Sequence, residues 1–331
     1  MNDNPSRRRF LAQSAFALAG VFAAAQRRGP AQPRGSRPRS ESWDFRASAR
    51  ERMRLVLLGT AGGPTPKLTR AAPAQVILHH GAAYVVDCGN GVARQLRLAG
   101  VSLQSIRHVF ITHHHSDHNA DYGNLLLLAW ASDLTTPVDS WGPPPLAKMT
   151  RLFLDMNETD IKVRMADEGR PALAPLVRPH EISQAGVVLR DGDLTITCAR
   201  VHHPLVEAAF AYRFDSPARS IVISGDTSPS PSLVALARNA DVLVHEVLYL
   251  PAVEKILAGS PNPEALRKHL LDSHTPLDQV GRIAAEANVK TLVLSHFTPG
   301  EATEVADEVW RQGAQAHFKG EVIVGRDLME I

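Results

Sequence analysis

The sequence predicts an α/β fold. Short apolar runs of strand length recur along the chain, at 53–58, 74–79, 106–111, 194–200, 220–224 and 291–294. Segments apolar at helical spacing, such as 92–99 and 277–287, lie between them. The runs also end repeatedly in His, Asp or Glu: Asp87, the loop after Ile111, His203, Asp226, Glu246 and His296. One such end says little. Six together point to a single constellation, because a site built at strand ends collects side chains that are far apart in sequence.

The folded region begins at 53–58, a strand closed by Gly59-Thr60, and 62–66 is a loop by its Gly and Pro content. The runs 74–79 and 83–86 have the character of a hairpin joined at Gly81. Asp87-Cys88-Gly89-Asn90-Gly91 is a turn that also places a carboxylate behind whatever follows strand 106–111. A helix begins within 125–130. Residues 140–180 carry Trp141-Gly142-Pro143-Pro144-Pro145, an amphipathic stretch at 146–156 and a charged remainder; they read as an excursion bordering the active site. Strands follow at 194–200, 209–214, 220–224, 242–244 and 291–294, and helices at 233–238 and 277–287.

The most informative stretch is Thr112-His113-His114-His115-Ser116-Asp117-His118. Residues i and i+2 of an extended segment face the same way, so His113 and His115 can share one ion. Asp117 and His118, beyond the bend, can serve a second. Imidazole with carboxylate suits Zn²⁺, and also Mn²⁺ or Fe²⁺. A length of 331 residues allows one large domain or two small ones. A formal charge of +2 gives no electrostatic argument for nucleic acid or membrane. Two cysteines, Cys88 and Cys198, are too few for a disulfide framework and are expected as buried free thiols.

The N-terminus reads as a targeting segment. Ser6-Arg7-Arg8-Arg9-Phe10-Leu11 precedes a weak Ala-rich apolar run, and Ala23-Ala24-Ala25 offers a cleavage site. This resembles a twin-arginine export signal over 1–25, followed by a disordered Arg-, Pro- and Ser-rich linker at 26–52 and the folded domain at 53–331. The run is too short for a stable membrane span. Periplasmic or secreted localisation is the expectation.

Taken together, the chain resembles the metallo-β-lactamase superfamily, and most of all its ribonuclease Z and arylsulfatase-like branch. The matching residues are Leu58-Gly59-Thr60, Asp87 to Gly91, Ile111 to His118, His203, Ser224-Gly225-Asp226-Thr227, Val244-His245-Glu246, Ser273-His274-Thr275 and Leu294-Ser295-His296. The resemblance implies an αββα four-layer sandwich with a dinuclear metal site at one edge of the sheets. One ion would take His113, His115 and His203, the other Asp117, His118 and His296, with Asp226 bridging. His203 is preferred to His202 because Pro204 follows it. Catalytic roles are expected of Asp117, Glu246 and His274, with Glu246 orienting His274 near the leaving group. Asp87 is expected to hydrogen-bond a ligand or its loop, or to act as a turn former. His114 should point away, and His245 should pack behind the site.

The implied activity is that of an exported hydrolase cleaving phosphodiesters or aryl sulfate esters, by attack of a hydroxide held between two divalent metals. Hydrolysis of a lactone or carboxylic ester is the alternative, and a non-catalytic metal-binding protein is the reading from another class. Ribonuclease Z enzymes carry a long tRNA-gripping arm between the positions of His203 and Asp226. Here 204–225 hold two strand signals, a short turn and no basic cluster. The expected partner is therefore a small-molecule ester and not tRNA, with no stable membrane span after processing and a homodimer as the candidate assembly.

Overall fold

The computed structural model describes residues 53–206 and 208–331. The expected export signal at 1–25 and linker at 26–52 lie outside the described residues. Two seven-stranded sheets are formed. The first contains β1 (Arg54–Gly59), β2 (Ala74–His79), β3 (Ala82–Val86), β4 (Ile106–Phe110), β5 (Val138–Gly142), β6 (Val177–Glu181) and the C-terminal β14 (Met329–Glu330), in the order β14-β1-β2-β3-β4-β5-β6. The second contains β7 (Gly186–Asp191), β8 (Leu194–Arg200), β9 (Phe210–Asp215), β10 (Ser220–Ile223), β11 (Val242–Leu248), β12 (Thr291–Thr298) and β13 (Glu321–Val324), in the order β13-β12-β11-β10-β9-β8-β7. Each sheet is half antiparallel and half parallel. Strands β3 to β6 run parallel in the first, and β10 to β13 in the second.

The alternation of each strand explains the layering. Leu55, Leu57, Tyr84, Val86 and Phe110 point inward and meet Ile196, Phe210, Tyr212, Phe214, Ile221, Ile223, Val242 and Val244 of the other sheet. Phe110 packs edge-on against Tyr212 and Phe214 at the centre. The intervening Val56, Leu58, Val76, Val85 and Val109 point outward, beneath α1 (Val92–Leu98), α3 (Tyr122–Ala131), α4 (Leu146–Met156) and α5 (Glu158–Asp167). On the other side Val222, Leu243, Leu292 and Leu294 lie beneath α6 (Pro231–Ala237), α9 (Leu277–Glu286) and α10 (Asp307–Gln315). A sheet apolar on both faces needs such a covering layer on each side, so the expected αββα sandwich is the fold. Two helices, α7 (Leu250–Leu257) and α8 (Pro263–Ser273), sit over a small cluster of their own, Leu248, Val253 and Leu257 with Leu266 and Leu270. The remaining helix, α2 (Ser116–Asn119), is a single turn in the ligand loop.

Two expectations are corrected. Residues 140–180 are not an excursion around the active site: they supply β5 and β6 to the first sheet and α4 and α5 to its outer layer. His245, Glu246 and His296 are not at strand ends either. Strands β11 and β12 run past them, to Leu248 and Thr298. Cys88 and Cys198 are buried free thiols, as expected. Among the described residues no helix is long and apolar enough to cross a membrane.

Candidate metal centre

The parallel strands deliver the site. Beyond β4, the backbone amide of Thr112 donates to Asp87 Oδ1 at 2.8 Å, and its hydroxyl donates to the same carboxylate. This holds the loop against the end of β3. His115 is extended, with φ −83° and ψ 150°, and Asp117 and His118 fall in the single turn of α2. The amide of Cys88 donates to the carbonyl of His118. Gly89 makes this approach possible, since a Cβ there would lie 2.5 Å from the Asp117 carbonyl oxygen.

The other donors come from the second sheet. His203 follows β8. Asp226 follows β10 through Gly225, whose φ of +59° favours glycine and whose surroundings, the Phe210 carbonyl and Thr112 side chain, would each lie 3.0 Å from a Cβ. His296 sits in a bulge. Glu246 pairs with Ser295 and Val247 with Phe297, which leaves His296 as the extra residue, at φ +45°. A bulge re-aims one side chain within a continuous strand, and here the strained residue is the one turned into the site.

Two groups of donors result. His113, His115 and His203 form one, with His203 Nε2 3.1 Å from His115 Nδ1. Asp117, His118, Asp226 and His296 form the other. Asp226 Oδ2 lies 3.3 Å from His118 Nε2, 3.2 Å from His296 Nε2 and 3.9 Å from His113 Nε2. Asp226 therefore faces both groups. Its Oδ1 and His113 Nε2 are buried and have no hydrogen-bond partner. Orphaned buried polar atoms are costly, and a cation among these nitrogen and oxygen donors satisfies them. The supporting contacts are those of ligand histidines: His118 Nδ1 to Asp87 Oδ2 at 2.8 Å, His203 Nδ1 to the Ser273 carbonyl at 3.0 Å, and His113 Nδ1 to Thr112 Oγ1 at 3.1 Å. The seven side chains fit a pair of divalent ions.

Electrostatics agree. Burial works against the charged form of His118, but Asp226, Asp87 and Asp117 outweigh it and hold the imidazole well above its ordinary value. Burial likewise opposes the Asp226 carboxylate, and His296 and His118 keep it well below the carboxylate range. His113, fully enclosed, is pushed down by burial and then by His118. The pocket favours positive charge without leaving room for many protons.

Beside this cluster, Glu246 and His274 form a buried pair. Glu246 Oε2 is 3.0 Å from His274 Nδ1, while its Oε1 accepts from the amides of Thr227 and Thr275 at 2.9 and 3.2 Å. The Thr275 hydroxyl donates to the Thr227 carbonyl at 2.6 Å, so the loop after β10 and the α8–α9 connection brace each other. Burial disfavours the His274 imidazolium, yet the charge and hydrogen bond of Glu246 push its pKa up to about 9. Burial also raises Glu246, while His274 opposes that shift. The two amide donors favour the carboxylate, so the shared proton sits on His274.

A family model described as a beta-lactamase superfamily domain matches residues 83–297. The chain belongs to the metallo-β-lactamase superfamily. A ribonuclease Z of Mycobacterium bovis (strain BCG / Pasteur 1173P2) is 33% identical over 282 residues, covering 84% of this chain and 98% of the relative. Among solved structures, human tRNase Z, short form, aligns with a TM-score of 0.62 at 21% identity, over 84% of this chain and 98% of that one. Zn²⁺-bound PqqB from Methylobacterium extorquens aligns with a TM-score of 0.63 at 16% identity, over 84% and 99%. These structures show the shared fold. The chain is a metallo-β-lactamase-family hydrolase, and the fold implies divalent metal binding.

As a member of this superfamily, the chain places its expected site residues as follows. His113, His115, Asp117, His118, His203, Asp226 and His296 come together, and Glu246 and His274 stand beside them. His203 is buried and faces His115, whereas His202 is exposed. His114 turns away, its Nε2 2.7 Å from the Pro143 carbonyl. Asp87 bonds both His118 and Thr112, which goes beyond turn formation. His245 is fully buried, and burial lowers it to about 4.

One contributor went unread in the sequence. A cavity of about 230 Å³ opens from the donors between the 63–64 loop and α8, and Leu266, His269 and Leu270 line it. The His269 ring lies 6.1 Å from that of His115 and 5.9 Å from that of His274. Its only sequence signal is the i+3/i+4 spacing of Leu266, His269 and Leu270 ahead of Ser273-His274-Thr275, which puts them on one helix face.

Proposed function

We propose that this protein is an exported zinc-dependent phosphodiester hydrolase acting on small substrates. One observation carries the reading: a buried Glu246–His274 pair stands beside a seven-donor metal centre, with His274 at the wall of a small, largely apolar cavity. Two bound divalent ions supply an activated water at neutral pH and positive charge for the reacting phosphoryl oxygens. The chain's own residues do the rest. Glu246 takes up His274 Nδ1, which leaves only Nε2 to meet substrate. A proton held there can pass to a departing oxygen. Leu266, Leu270 and Pro64 offer an apolar wall for an aromatic or nucleoside leaving group and exclude water around it.

Zinc is favoured by the imidazole-rich donor set and by the zinc-bound PqqB neighbour. Export rests on Arg7-Arg8 and the Ala-rich run behind them. The ribonuclease Z relative is covered over 98% of its length by 84% of this chain, so part of this chain has no counterpart in it.

That relative also favours a second reading, cleavage of an RNA phosphodiester. Against it, among the described residues the segment between His203 and Asp226 holds the antiparallel pair β9–β10 and no further helix or strand, which speaks against an arm that grips tRNA. The lining of the cavity holds no Lys or Arg. A panel decides: zinc-loaded enzyme is offered an aryl phosphodiester, a precursor tRNA, an aryl sulfate and a lactone. The proposal expects the highest kcat/KM on the aryl phosphodiester. Preference for precursor tRNA establishes the second reading, and preference for the sulfate or lactone overturns the assignment to phosphorus.

A further inference from the structure

We propose a second metal site at the opposite edge of the sandwich, where His79, His80 and Asp193 take a divalent transition-metal ion and tie the two sheets together. The metal centre sits at the carboxyl ends of β4 and β10 and at the His296 bulge within β12. Strand β2 runs antiparallel to β3, so its end, His79, lies at the other edge. The hairpin turns through His80 and Gly81 with φ of +48° and +82°. Two positive φ values in a two-residue loop match the twist of the flanking strands. They also swing the His80 ring to the same side as its neighbour, with centroids 4.1 Å apart. Asp193 comes from the other sheet, in the β7–β8 turn that Gly192 closes at φ +59°.

The donor atoms converge. His79 Nε2 lies 2.7 Å from Asp193 Oδ1, and His80 Nε2 lies 3.3 Å from the same oxygen. Ligands about 2.0–2.2 Å from a tetrahedral ion are separated by roughly 3.3 Å, so small side-chain shifts admit the ion. The His79 side chain is almost fully buried and fixed, while His80 and Asp193 are 55% and 43% exposed, which leaves the fourth position to water. Two imidazoles and a carboxylate select Zn²⁺, Ni²⁺ or Cu²⁺ over Mg²⁺ or Ca²⁺. His79 Nδ1 has no partner, so this ligand lacks the support given to His118. Affinity weaker than at the seven-donor centre follows. The occupied site would link the β2–β3 hairpin to the β7–β8 hairpin across the sandwich and stabilise the folded state by mass action.

The full chain tests this. Enzyme loaded with zinc and desalted is titrated calorimetrically with further Zn²⁺, beside Asp193→Asn and His80→Ala. One additional equivalent is expected in the unsubstituted chain, with affinity at least ~10-fold lower in either variant. Excess zinc should raise the unfolding midpoint of the unsubstituted chain more than that of either variant, and turnover should be the same in all three. Cu²⁺ bound in the additional equivalent should show coupling to two nitrogens by electron paramagnetic resonance, reduced to one with His80→Ala. No additional equivalent, or equal uptake by the variants, overturns the proposal and leaves Asp193 as a hydrogen-bond partner of His79.

Discussion

At the level of single residues, the proposed function divides the side chains into donors for metal and a neighbour that acts on the substrate. His274 is oriented by Glu246 and stands outside both donor groups of the metal centre's seven side chains. His274→Ala is expected to keep both ions and to lose roughly 10²–10⁴-fold in turnover, the range for a general acid or base. The loss should be largest for poor leaving groups and smallest for an activated nitrophenolate, which departs without a proton. A uniform loss across leaving groups would instead place His274 in substrate binding. Asp87 makes the opposite prediction. It reaches His118 Nδ1 and the Thr112 amide, and its φ of +61° is one that Asn tolerates. Asp87→Asn should fold normally yet weaken metal binding by roughly 10–100-fold, as measured by competition with a chromogenic chelator. Unchanged affinity would make Asp87 a turn former and no more. The sequence singled out both residues, Asp87 with turn formation as the alternative. His269 was not, because a lone histidine on a polar, weakly amphipathic helix carries no pattern of its own.

Secondary-structure elements divide by how much of their pattern comes from burial. Strands β1 to β4 and β8 to β12 are lined by apolar residues on one or both faces, and the sequence placed them within a few residues. Strand β7 is an exposed edge, and β5 leads into Gly142 and three prolines, so neither had a hydrophobic signature. Helices α7 and α8 were missed because they pack on a small satellite cluster and not on the main core. The bulge at His296 could not be read at all: it exists only in the register between β11 and β12. Gly225 gives this level its prediction. A methyl group there meets the Phe210 carbonyl and Thr112 side chain at 3.0 Å and forces a left-handed backbone on Ala. Gly225→Ala should displace Asp226, lowering zinc content below that of the unsubstituted protein while circular dichroism reports unchanged helix and strand content. Full zinc content in that variant would mean that the loop absorbs the change without moving Asp226.

For the whole molecule, the fold puts donors from both sheets on one edge, which is why residues from His113 to His296 can act together. The export proposal belongs to this scale too. Arg7→Lys combined with Arg8→Lys should leave the precursor in the cytoplasm, as judged by fractionation and immunoblotting. Unchanged delivery to the periplasm would refute a twin-arginine route and leave the metal chemistry untouched. The central claim is that seven side chains hold two ions with Asp226 facing both. Elemental analysis of chain purified without chelator, supplied with zinc and desalted to remove weakly held metal, tests it most directly. The account predicts two tightly held ions per chain, and the loss of both in Asp226→Ala. A reproducible value of one in the unsubstituted chain, or two retained in Asp226→Ala, would contradict it.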